Sequence, residues 1–165
     1  MKELKFTDAL QKINSLQLKE PNNPFFYEIK GQILMETGKL SEANDNFAKA
    51  YQYLPNSHLM QINYAHAIIE NDPPQQDLKQ AISLLNKALF RTQNSFVWLL
   101  LSQAYGKIND IANANYASAE YSIRIGNIDV AKKQLNEADK YSTSKQLKLK
   151  INDLRQRLNN IDKAI

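Results

Sequence analysis

The stretch PNNPFFYEIKGQILMETGKLSEANDNFAKAYQYLP, residues 21–55, decides the architecture. It reads as two short helices back to back, with a small residue wherever they must touch. Gly31 and Ala43 fall where the two helices cross, and a larger side chain there would push the backbones apart. Phe47 fills the space under the crossing. Gly38 sits where the first helix ends and a positive φ is wanted. Pro24 stands at a helix start, where a missing N–H costs nothing. Pro55 cannot continue the second helix, so the chain turns.

The same device recurs. Ala65 falls 34 residues after Gly31, in a helix expected at about 57–71 with Leu59, Ile62, Tyr64, Ala65 and Ile69 as its apolar set. Ala81, Leu85 and Ala88 repeat the 0, +4, +7 spacing of Ala43, Phe47 and Ala50. Between them ENDPPQQD reads as an inserted loop over 72–77, about four residues longer than the standard turn. Trp98, Leu101, Ser102 and Tyr105 spell W-x2-L-small-x2-Y, the pattern that opens a tetratricopeptide (TPR) unit of 34 residues. Ala119, Gly126, Ala131, Leu135 and Ala138 recover the pattern half a repeat on. The chain therefore resembles a TPR protein. The implied fold is all-α, a right-handed solenoid of antiparallel helix pairs in a single domain over 1–165. Its expected parts are an N-terminal helix at 2–18, repeat 1 at 24–55, repeat 2 at 57–93, repeat 3 at 95–125, an overlapping repeat 4 at 112–141 and a capping helix at 144–163.

Both ends carry amphipathic helices. Phe6, Leu10, Ile13 and Leu16 form the stripe of the first, which reads as the second half of an incomplete repeat. Leu147, Ile151, Leu154, Leu158, Ile161 and Ile165 step by 4, 3, 4, 3, 4, a heptad seam. Such a stripe covers the last core face of a solenoid, joins two copies in a homodimer, or docks a further domain.

Composition narrows the function. The 165 residues hold no Cys, which removes disulfides, thiol nucleophiles and thiolate metal sites. No apolar window is long enough to span a membrane, and MKELKFTDAL lacks the apolar run of a signal peptide. The net charge of +4 reads as solvated lysine-rich helix faces. HExxH, Gly-rich phosphate loops and G-x-S-x-G are absent, and His58 and His66 are too far apart to share a metal as helix neighbours. Expected, then, is a non-catalytic chain with no cofactor, no metal, no membrane insertion and no nucleic-acid partner.

The work left is holding a protein or peptide. In TPR proteins the concave surface comes from positions 2, 5, 9 and 12 of each first helix. Here these are Phe25, Glu28, Gln32 and Met35, then Leu59, Ile62, His66 and Ile69. Phe96, Leu99, Gln103 and Gly106 follow, then Asn113, Tyr116, Glu120 and Ile123. This face is apolar with amide and acidic spots. It lacks the Lys/Asn/Arg set of TPR carboxylate clamps, so chaperone tails ending in EEVD are not expected to bind. On this reading Ile62 and Leu99 face the groove, and replacing both with Glu leaves folding intact.

A narrower resemblance rests on PNNPFFYEIKGQILMETG, on Ala104–Gly106 and on AEYSIRIGNIDVAKKQLNEA. These runs are similar to the C-terminal TPR tail of bacterial periplasmic zinc metalloproteases of the HExxH type, carried here by Pro21, Asn23, Pro24, Glu28, Lys30, Gly31, Gln32, Glu36 and Gly38. The resemblance implies a periplasmic chain whose partners are a metalloprotease domain or outer-membrane protein clients. A free-standing adaptor, cytoplasmic in that case, is the alternative.

Overall fold

The computed structural model describes residues 2–162, with side chains described for 5–160. Ile165 and the side chain of Ile161, expected to extend the C-terminal seam, lie outside the described residues. Nine α-helices and no strand are found among the described residues. In order they are α1 (Lys2–Lys19), α2 (Pro24–Glu36), α3 (Leu40–Tyr53), α4 (His58–Glu70), α5 (Gln75–Leu89), α6 (Ser95–Lys107), α7 (Ile111–Arg124), α8 (Ile128–Tyr141) and α9 (Lys145–Asp162). They fall into two compact units divided between Thr92 and Gln93.

In the first unit, α1 to α5, the 34-residue period is written in the turns. Between α1 and α2 the amide of Glu20 donates to Leu16 O and that of Asn23 to Glu20 O. Between α3 and α4, Leu54 N donates to Ala50 O and Ser57 N to Leu54 O, the same bonds one period later. Asn23 and Ser57 cap the helices that follow, accepting from Phe25 N and Met60 N. The Tyr27 hydroxyl donates to Pro21 O, and Gln61 Nε2 donates to Pro55 O, each at 2.8 Å. Thus α1 holds the place of a second helix, and Ala9, Ile13 and Leu16 keep the 0, +4, +7 spacing. Ile13 is buried and Leu10 half-buried, but Leu16 is exposed where the other repeats have a buried Ala.

The crossing of α2 and α3 has no slack. A Cβ added to Gly31 would lie 2.9 Å from ring atoms of Phe47, which is itself buried with Leu34, Ala43 and Ala67. Leu10, Met35 and Tyr64 close over that cluster. Ring pairs Tyr27–Tyr53 and Tyr51–Tyr64, 5.6 and 5.7 Å between centroids, tie α3 to α2 and to α4.

The turn inside each helix pair is of one kind. Gly38 takes φ +75°, and Lys39 N donates back to Leu34 O. Asp72 stands 34 residues on and also has positive φ, a conformation short polar side chains tolerate. The proline segment differs from the expected 72–77 loop, because α5 already begins at Gln75. Pro74 is its N-cap, a position that needs no N–H. Set against repeat 1, one of the four extra residues lengthens the turn. The other three lengthen the start of α5.

In the second unit, α6 to α9, the same turn occurs twice in succession. Asn109 (φ 59°) and Gly126 (φ 84°) are both left-handed, with Asp110 N bonded to Tyr105 O and Asn127 N to Ser122 O. So α7 is the second helix of one pair and the first of the next, packed along both α6 and α8. Ala119, Ala131, Leu135 and Ala138 form one core with Leu147, Ile151, Leu154 and Leu158 of α9. Those four seam residues are at most 5% exposed, so the described seam is used within the chain as a cap.

Gly31→Ala should therefore destabilise the fold although Ala favours helix. The ring clash outweighs the propensity gain, for a net loss of roughly 1 kcal/mol in urea unfolding. Adding Phe47→Leu should make the pair cost less than the sum of the two single changes.

Candidate functional site

The residues expected to form the groove divide into exposed, half-buried and buried ones. Position 2 is open in α2, α4 and α6, with Phe25 51%, Leu59 41% and Phe96 36% exposed. Gln32 and Gln103 are exposed, while Met35, His66, Leu99, Asn113, Tyr116 and Ile123 are half-buried and Gly106 is exposed. Four expected contact residues are instead buried: Glu28 at 6%, Ile62 at 6%, Ile69 at 1% and Glu120 at 4%. Ile62 and Ile69 are buried because α4 is apolar on most of its surface and packs on α3, α5 and α2 at once. They are core, and the groove floor cannot be built from them.

On α2 and α4 the buried acid is the centre of a polar cluster. Glu28 Oε1 accepts from Gln32 Nε2, one turn on, and from Asn63 Nδ2 of α4 at 2.9 Å. Burial pushes the Glu28 carboxyl above the usual carboxylate range, and the bond from Asn63 pulls part of the way back. Next along α4, burial lowers the pKa of His66, opposed by the charge of Glu70, whose Oε1 is 3.8 Å from Nε2. Lys30, the one Lys or Arg on these two helices, is directed to Gln17 of α1 instead.

The second unit buries its acid differently. Glu120 Oε2 is paired with Arg124 at 2.5 Å, and Glu120 Oε1 lies 3.7 Å from Arg157 of α9. The Tyr116 hydroxyl donates to Glu120 Oε1 at 3.1 Å, and burial followed by the charge of Glu120 drives its pKa far above the ordinary tyrosine value. Arg124 lies over the Trp98 ring at 5.1 Å, and that ring meets Tyr116 edge-on at 6.1 Å. Tyr116 and Glu120 are thus held inside the chain's own network. Trp98 Nε1 is buried with no hydrogen-bond partner.

The sequence reading passed over Asn63, Arg124 and Arg157. The i, i+4 spacing of Glu120 and Arg124 was a visible signal. So was Asn63, an amide set within the apolar run of α4. Nothing local in the sequence joins Arg157 to Glu120. Among the described residues no group of three or more His, Asp or Glu could hold a metal ion, and no helix is long and apolar enough to cross a membrane.

No family model and no curated protein matches the chain. Solved structures do. A MamA crystal structure superposes with a TM-score of 0.68 at 17% identity, over 96% of this chain and 87% of that one. MamA residues 41-end from Desulfovibrio magneticus RS-1 give 0.65 at 15% identity, over 96% and 86%. TTC0263, a thermophilic TPR protein of Thermus thermophilus, gives 0.54 at 16% identity, over 94% and 89%. With the turns and crossings above, this likeness establishes the fold as all-α helical repeats of the TPR type.

Two outcomes follow. Ile62→Glu should unfold or strongly destabilise the chain, costing several kcal/mol for an unpaired buried charge, whereas Leu59→Glu should shift the melting point little. Folded Glu28 holds its proton more tightly than the unfolded chain does, so its contribution to stability is full at low pH and lost as pH rises through the folded pKa. Glu28→Gln should melt with the wild type at about pH 3, below the ordinary glutamate value, and above it at about pH 7.

Proposed function

We propose that this chain is a non-catalytic protein-interaction module that holds a peptide or partner protein on the inner faces of its first helices. One observation carries the reading: the same repeat position in three helices leaves a large apolar side chain in solvent, Phe25, Leu59 and Phe96. On α4 and α6 no other apolar side chain is exposed. Contact area at such positions drives capture of an apolar segment or a partner helix. The expected inner-face set shrinks to Phe25, Gln32, Met35, Leu59 and His66 in the first unit, and to Phe96, Leu99 and Gln103 in the second.

The finer reading makes the partner a zinc metalloprotease domain or an outer-membrane protein in the periplasm. It is supported by the sequence runs at 21–38, 104–106 and 119–138. The rival reading is a free-standing adaptor.

A pull-down from envelope and cytosolic extracts tests both levels. The triple change Phe25→Ser, Leu59→Ser, Phe96→Ser should keep helicity and lose at least nine-tenths of the captured partner, roughly the effect of removing about 1.4 kcal/mol or more of binding energy. Equal capture by the variant would sink the inner-face reading. An outer-membrane precursor or protease domain among the captured proteins supports the finer reading, and a cytosolic partner supports the adaptor.

A further inference from the structure

The two buried glutamates differ in one respect. Glu120 is closed in by Arg124 and Arg157. Glu28 pairs with no cation among the described residues. Its two donors, Gln32 and Asn63, are neutral amides, and both bond to Oε1. No donor among the described residues reaches Oε2, and that atom is not among the buried side-chain oxygens sealed without a partner. An ionised carboxylate has about four acceptor sites, so Oε2 keeps its own open.

The surroundings repeat the charge bias. The only Lys or Arg of α2 and α4 is engaged with α1, Glu70 adds a second acid along α4, and burial favours neutral His66. Phe25 lies one turn before Glu28 on α2, and Leu59 lies one turn before Asn63 on α4. Both are exposed. The bond between Asn63 and Glu28 fixes these two helix faces side by side. A largely buried anion flanked by two exposed apolar side chains is complementary to a cation carried on an apolar segment.

Building on the inner-face reading above, we propose that the α2/α4 face recognises a partner segment through one arginine or lysine side chain. That side chain donates to Glu28 Oε2, and neighbouring apolar side chains of the segment rest on Phe25 and Leu59. Gln32 and Asn63 act as positioning residues: they occupy Oε1 and leave Oε2 as the acceptor. The geometry favours an end-on cation, since a side-on guanidinium would compete with both amides for Oε1. Lysine and arginine are therefore both accommodated.

The test uses the full chain and four short amidated peptides of leucine, phenylalanine and serine. They differ only at one central residue, which is arginine, lysine, citrulline or norleucine. Fluorescence anisotropy should give roughly tenfold or tighter binding for the two charged peptides over their neutral counterparts, the usual scale for a charge-assisted bond. Glu28→Gln should remove that preference while leaving the neutral peptides' affinity unchanged, with circular dichroism confirming that it folds. Equal binding of charged and neutral peptides, lost on Phe25→Ser or Leu59→Ser, would overturn the cation proposal and leave the inner-face reading standing. Binding indifferent to all of these changes, or no binding by any peptide, would overturn both.

Discussion

Gly31 against Phe47 is the contact on which the rest is built. With no Cβ at Gly31, α2 and α3 approach until ring atoms of Phe47 lie 2.9 Å from where that atom would be. The close approach sets the distance between helices, and that distance sets which side chains can fill the space. Leu34, Ala43 and Ala67 complete the cluster around the ring. The corresponding places later in the chain are Ala65, Ala81, Ala88, Ala131 and Ala138, all essentially without exposure. Small residues at crossings do not gain much by their own burial. They act by letting the large ones interlock at near-crystalline density.

A second constraint concerns polar groups. Helices stacked in this way bury one face and open another, and an acid near the boundary must be compensated or remain costly. The two units solve this differently. In the second, Glu120 collects two guanidiniums and a phenol, one of them from α9, so the cap helix contributes charge as well as apolar surface. In the first, Glu28 has only amides. Burial holds its carboxyl protonated more readily than usual, and the bond from Asn63 opposes this in part.

Function follows from what the packing leaves over. A first helix with buried partners on three sides can show only a narrow face. On that face the same position remains apolar and open in three repeats. The apolar stripe of α9 shows the opposite outcome. Read alone it suits a second copy, yet Leu147, Ile151, Leu154 and Leu158 are taken up in the core of the second unit.

Periodicity, prolines and small residues made the helices, their pairing and the 34-residue register legible, because each is a local or fixed-offset property of the chain. Gly38, Pro24, Pro55, and the dual role of α7 announced by Gly126 were readable for that reason. The start of α5 was misread, since Pro74 ends a turn and begins a helix with the same φ, and only the capping geometry distinguishes them. Of the residues expected on the inner face, Phe25, Leu59 and Phe96 are exposed, but Ile62, Ile69, Glu28 and Glu120 are buried, because exposure depends on how many neighbours a helix has. That number is a property of the assembled fold. The pairing of Glu120 with Arg157, and its absence at Glu28, were likewise decided by tertiary structure: they join residues that only packing brings together.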